Sequence, residues 1–326
     1  MERLDAFMAR ANAAYYATHD PYADFTTSPE ITQVFGELLG LWAAVTWQAM
    51  GQPDPVLLVE CGPGRGTLMA DALRAAGGVA APFRAALQVH LVETSPRLRA
   101  QQAARAPDAT WHDALEDVPP GPMLLIANEF LDALPIRQFV RRGAGWAERF
   151  VDGGKAVEQP ATAPELDGAE ADEGAVMELC KPARAVADHV ARRVMRDGGA
   201  ALFLDYGPAE SAPGDSLQAL HAGQPASPLV EPGNADLTAH VDFAALARVA
   251  RAAGAAAHGP VPQGLFLTRL GLFQRTGRLA QPQPPLRAAA LVQAAQRLAE
   301  PDRMGRLFKA LAICHPDLPC PAGFEP

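Results

Sequence analysis

A short apolar run, Val56-Leu-Leu-Val, ends in Glu60 and enters three alternate glycines, Gly62, Gly64 and Gly66. The pattern predicts a buried strand turning tightly into a helix. Alternate glycines let the backbone take left-handed angles and approach a ligand without Cβ clashes, and the helix that follows offers unpaired N–H groups at its start. This is the geometry of a nucleotide-type pocket. A pyrophosphate-binding dinucleotide fingerprint places its third glycine one position later, where this chain has Thr67. Glu60 also opposes a phosphate. An acid beside the loop suits a ligand with cationic groups, and S-adenosylmethionine carries both a sulfonium and an ammonium, so methyl transfer is the leading expectation. A plain strand-to-helix turn and an NAD site are the alternatives.

Downstream, Leu87-Gln-Val-His-Leu-Val-Glu93 is a second apolar strand ending in an acid. In doubly wound sheets such an acid accepts from both ribose hydroxyls, which makes Glu93 the candidate, although Thr94-Ser95-Pro96 also reads as a helix start. Asp113, after Trp111-His112, is a candidate acceptor for the adenine amino group, or a simple turn residue. Met123-Leu-Leu-Ile-Ala is a fourth strand running into Asn128 and Glu129. Ligands of open parallel sheets sit at the carboxyl ends of strands near the switch point, so these two residues are expected to face the chemistry.

These stretches resemble the MidA family of S-adenosylmethionine-dependent methyltransferases, which includes a mitochondrial arginine methyltransferase acting in complex I assembly. The resemblance runs over nearly the whole chain. It is carried by Asp24-Phe-Thr-Thr-Ser-Pro-Glu-Ile31 with Phe35-Gly-Glu-Leu38, Glu60 to Leu68, Val92-Glu-Thr-Ser-Pro-Arg97, Ala127-Asn-Glu-Phe-Leu-Asp-Ala-Leu-Pro135, Asp205-Tyr-Gly207, Asp236-Leu-Thr-Ala-His-Val-Asp-Phe243 and Met304-Gly-Arg-Leu-Phe-Lys309. Two departures stand out: Pro21-Tyr22-Ala23 replaces the glycines that usually precede the family's Asp-Phe pair, and the lead before Phe7-Met8 is brief. The resemblance implies a protein substrate, with the quinone-site subunit of respiratory complex I as the suggested one.

At 326 residues, 49% of them hydrophobic, the chain can bury a large core. The net charge of −9 argues against nucleic acid as a partner and suits a basic target. No apolar run reaches membrane-spanning length, and the first ten residues lack a secretory core, so a cytoplasmic protein without membrane insertion is expected. Cys61, Cys180, Cys314 and Cys320 are too scattered for a disulfide framework or a zinc motif. The oligomeric state stays open, with a homodimer as one option.

The expected fold class is α/β: a doubly wound, mostly parallel Rossmann-like sheet. Residues 1–50 read as an N-terminal helical segment and cofactor lid, and residues 51–326 as the methyltransferase domain with insertions about 136–180 and 208–240. Ser28-Pro29-Glu30 starts a helix whose apolar members continue to Leu41. Residues 138–151 read as a hairpin, 152–174 as a mobile loop, 208–240 as a cap over the active site, and 307–314 as the last strand.

In-line methyl transfer requires alignment of a nucleophile with the methyl group and exclusion of water, with no metal. A guanidinium is protonated at any reachable pH, and carboxylates must orient it. Glu129 and Asp132, three apart, fit that need if a helical turn follows the fourth strand, although acids there also suit a helix start. Asn128 would instead turn an amide or amine nucleophile. Ser28 and Glu30, with Thr27 at capping-box spacing, are expected both to start a helix and to close over the methionine end of the cofactor. His240 is a candidate base or substrate holder, and equally a structural hydrogen-bonding group. The rivals to arginine methylation are a small-molecule or amide N-methyltransferase and a non-catalytic assembly factor that keeps the cofactor pocket.

Overall fold

The computed structural model describes residues 1–19, 26–166, 168 and 170–325. It divides into two compact units: residues 26–130, 186–209 and 243–326 form the larger, and residues 1–25, 131–185 and 210–242 the smaller. Both expected insertions therefore fall in the smaller unit with the first helix, while residues 26–50 cluster with the larger one.

The larger unit is built on seven strands: β1 (Val56–Cys61), β2 (Leu87–Val92), β3 (Thr110–His112), β4 (Met123–Asn128), β5 (Gly199–Tyr206), β6 (Ala256–Pro262) and β7 (Phe308–Cys314). Their spatial order is β6-β7-β5-β4-β1-β2-β3. The pairs β1–β2, β2–β3, β1–β4 and β4–β5 are parallel, and β7 inserts antiparallel between β5 and β6. Strands buried on both faces read as continuous apolar runs, and every residue of β1 and β4 is buried. The order reverses between β1 and β4, which sets the switch point at their carboxyl ends. The doubly wound expectation is met.

One expected helix is two. Ser28–Ile31 forms a short turn, Thr32 is extended at φ −159°, and a new helix runs Gln33–Ala49 with the Thr32 side chain accepting from Val34 N–H at 3.3 Å. A β-branched residue with a hydroxyl favours this capping role over a helix interior. The longer helix packs on Thr67–Val79 at a close crossing, where a Cβ on Gly40 would lie 2.6 Å from Ala72 Cα. The helices Gln263–Arg269 and Leu272–Ala280 had no counterpart in the sequence reading.

In the smaller unit, the helix Leu4–Thr18 buries Leu4, Phe7, Met8 and Ala11 against Ile136, Val151, Ala219 and Leu237. The hairpin Arg137–Arg142 with Gly145–Asp152 forms as read. Residues 152–174, expected as a mobile loop, instead contain a strand, Lys155–Ala161, paired in register from Asp152↔Lys155 to Trp146↔Ala161. Gly153 and Gly154 have φ of +56° and +76°. That is the two-residue hairpin turn whose twist matches the strands, and its Asp-Gly-Gly signal outweighs the polar composition.

Candidate active site

The glycine loop has the conformation its sequence implies: Gly62, Gly64 and Gly66 have φ of +65°, +54° and +77°, and Gly66 is the N-cap of the helix from Thr67. Above the loop the Phe130 ring lies so close that a Cβ on Gly62 would sit 2.9 Å from its Cδ2. Glu60, one residue before the end of β1, is 3% exposed, and its Oε2 has no hydrogen-bond partner among the described residues. Burial pushes its carboxyl up to about 8, against the opposing pull of the Met69 N–H.

At the end of β2, Glu93 accepts from Ser95 N–H at 2.8 Å and from Gln102 Nε2 at 3.3 Å. Burial raises its pKa, and those donors offset part of the shift. The helix begins at Pro96 with Ser95 as its N-cap, so Glu93 precedes the first turn and is not the first-turn acid of the alternative reading. Gln102, which the sequence reading passed over, is fully buried and ties three strand ends together: its Nε2 also donates to Gly64 O at 2.7 Å, and its Oε1 accepts from Trp111 Nε1 at 2.8 Å. Asp113 is exposed and pairs with Arg99 Nη2 at 2.6 Å.

At the end of β4, Asn128 is buried, its Nδ2 donates to Glu129 Oε1 at 3.1 Å, and its Oδ1 has no partner among the described residues. Glu129 adopts φ +49°. For a non-glycine residue this costs on the order of 1–2 kcal/mol, and such strain concentrates at functional sites. Its Oε1 accepts from Ser28 N–H at 2.7 Å. Burial raises the Glu129 pKa, and the Ser28 and Asn128 donors pull it back.

Several expected roles meet other geometry. Thr27 occupies the N-cap without a side-chain bond, and the Glu30 carboxylate accepts from Thr67 Oγ1 at 2.5 Å instead of closing a capping box. The Ser28 N–H, expected to meet a cofactor carboxylate, is taken by Glu129. No helix follows β4: a bend leads to a turn closed by Leu134 N–H to Leu131 O at 3.2 Å, so the helical spacing of Glu129 and Asp132 does not apply. Asp132 is buried in the smaller unit, where Ala239 N–H donates to its carbonyl at 3.0 Å. His240 is exposed, with its N–H donating to Ser216 Oγ at 2.8 Å. Asp24 and Phe25 lie outside the described residues. The four cysteines are free.

The glycine loop, the unpartnered Glu60 Oε2 and Asn128 Oδ1 and the acids Glu93 and Glu129 thus gather at the carboxyl ends of β1, β2 and β4, a set of groups that suits a polar, cationic ligand. A family model for S-adenosyl-L-methionine-dependent methyltransferases matches residues 38–261. The chain belongs to this family. Relatives include the mitochondrial protein arginine methyltransferase NDUFAF7 of Rattus norvegicus, 35% identical over 96% of this chain and 80% of that one. The NDUFAF7 homolog of Drosophila melanogaster is 34% identical over the same shares. Among solved structures, a Burkholderia thailandensis protein bound to S-adenosyl-homocysteine aligns with a TM-score of 0.81 at 27% identity, covering 98% of this chain and 89% of that one. The chain is an S-adenosylmethionine-dependent methyltransferase.

The expectation of a cytoplasmic protein is overturned, because these relatives are named as mitochondrial. That expectation rested on the lack of a secretory apolar core, a feature that says nothing about amphipathic transit sequences. No helix among the described residues is long and apolar enough to cross a membrane.

Proposed function

We propose that this methyltransferase modifies arginine in a protein, with a respiratory complex I subunit or its homologue as substrate. The observation that carries the reading is Glu129: an acid held in a left-handed conformation at the switch point, its carboxyl bonded to Ser28 N–H and Asn128 Nδ2. The names of the rat and fruit fly relatives support the arginine target.

In this reading, Gly62, Gly64 and Gly66 would admit the cofactor, Glu60 would hold its cationic end, and Glu93, whose Oε2 also accepts from Gln102 Nε2, would hold the ribose. S-adenosylmethionine supplies an electrophilic methyl group on a sulfonium. Glu129 accepts from the guanidinium, holds its charge away from the attacking nitrogen and sets that nitrogen in line. The arriving cation reverses the upward shift that burial imposes on the Glu129 carboxyl. The unpartnered Asn128 Oδ1 favours one further reading, an amide or amine nucleophile held by that oxygen.

Methylated arginine peptides from cells with and without the gene, compared by mass spectrometry, test the proposal. It expects at least one arginine methylated only when the gene is present. Loss of methylation solely at amides or amines would move the assignment to Asn128, and an unchanged methylarginine set would sink it.

A further inference from the structure

A left-handed non-glycine residue persists only where its surroundings over-determine it. For Glu129 the surroundings are β5. Its N–H donates to Leu204 O at 2.8 Å, which carries the parallel ladder one step past the Asn128↔Leu204 pair. The next amide then meets a side chain rather than a carbonyl: Phe130 N–H donates to Asp205 Oδ2 at 3.2 Å. The other oxygen, Oδ1, accepts from Tyr206 N–H at 2.9 Å, and Asp205 is 1% exposed. A carboxylate anchored by its own strand thus grips the peptide that leaves the neighbouring one.

That peptide joins two parts of the site. On its Glu129 side the carboxyl reaches Ser28 N–H, and on its Phe130 side the ring lies against Gly62 in the glycine loop. A shift of the peptide would move both together. Small misplacements of an aligning group are costly in a reaction that depends on in-line geometry.

We propose that Asp205 is a positioning residue for methyl transfer, holding the Glu129–Phe130 peptide so that the Glu129 carboxyl is aimed. The proposal rests on the reading in which Glu129 acts on the substrate. Asp205→Ala removes the grip. Asp205→Asn keeps one carbonyl oxygen for one of the two N–H groups and turns an NH₂ toward the other, so its effect should be intermediate.

The test measures transfer of labelled methyl groups from S-adenosylmethionine into protein, using an extract of cells lacking the gene, with the full chain carrying Asp205→Ala, Asp205→Asn, Glu129→Gln or the Ala and Gln changes combined. S-adenosylmethionine affinity by calorimetry and hydrogen exchange at the Phe130 amide are read alongside. Asp205→Ala is expected to cut transfer by about tenfold to a hundredfold. Affinity should stay within about threefold, and Phe130 N–H should exchange faster. In the Glu129→Gln background the same change should cost less than about threefold, because the group being aimed is already disabled.

Equal losses in both backgrounds would overturn the proposal, since a general structural role gives that result. So would wild-type transfer by Asp205→Ala while Glu129→Gln is impaired. If the Ala variant does not fold, Asp205→Asn takes its place in both backgrounds under the same criteria. A Glu129→Gln variant with undiminished transfer would instead remove the catalytic reading on which the proposal stands.

Discussion

Cofactor binding should release a proton from Glu60. The carboxyl is buried at the end of β1, and burial lifts it from 4.5 to about 8. At pH 7 a group with that pKa is roughly 90% protonated. A cation placed beside it favours the charged form, so full ionisation on binding would release about 0.9 proton per site at pH 7 and about 0.1 at pH 9. Titration calorimetry of S-adenosylmethionine at pH 7 in phosphate and in Tris, whose ionisation enthalpies differ widely, reads the proton count from the difference in heat. S-adenosylhomocysteine lacks the sulfonium charge and should release less, and Glu60→Gln should abolish the buffer dependence. Stability follows from the same shift. Between 4.5 and about 8 the unfolded chain gives up this proton while the folded chain keeps it, so ionisation of this group lowers folded stability as pH rises through that window. The total is on the order of 5 kcal/mol without ligand. Identical heats in both buffers at pH 7 would refute the placement of a cationic ligand beside Glu60.

Gly64→Asp should abolish S-adenosylmethionine binding, because φ is +54° there and a Cβ with a charge would enter the cradle; a folded variant with unchanged affinity would remove the pocket assignment. Glu93→Ala should weaken binding by roughly 1.5–3 kcal/mol, the range for a hydrogen bond to a charged group, and calorimetry showing no loss would leave Glu93 as a structural acceptor for Ser95 N–H. Glu129→Gln should keep cofactor affinity while transfer falls about a hundredfold, on the scale of lost electrostatic stabilisation. A near wild-type rate in this variant would refute the guanidinium mechanism, and loss confined to Asn128→Ala would favour an amide or amine substrate.

The larger unit was legible because each of its main strands is a continuous apolar run ending in polar residues, and the alternate glycines mark where the backbone turns through left-handed angles. The parallel strands and their switch point follow from that pattern together with the rule for parallel crossovers, whereas Ala256–Pro262, half-buried and paired antiparallel with β7, carried no such run and was not read as a strand. Less legible were features set by partners distant in sequence. Nothing local says that Ser28 N–H will be claimed by Glu129, a hundred residues on, or that Thr67 will take Glu30 from a capping box. The left-handed Glu129 had no signal either, since Glu carries no preference for that region. Gln102 sits in a polar helix, and only the fold shows it buried among Gly64, Glu93 and Trp111. The strand at Lys155–Ala161 was missed through composition, although its Gly153-Gly154 turn was readable.

Methyl transfer to arginine directed by Glu129 is tested most directly by the identity of the labelled product. Purified protein is incubated with labelled S-adenosylmethionine and an extract of cells lacking the gene, the labelled protein is hydrolysed to amino acids, and the product is identified by chromatography. Label in methylarginine with the wild-type chain, and its loss with Glu129→Gln at unchanged cofactor affinity, is the predicted result. Label in any other amino acid, or methylarginine formed equally well by Glu129→Gln, would contradict it.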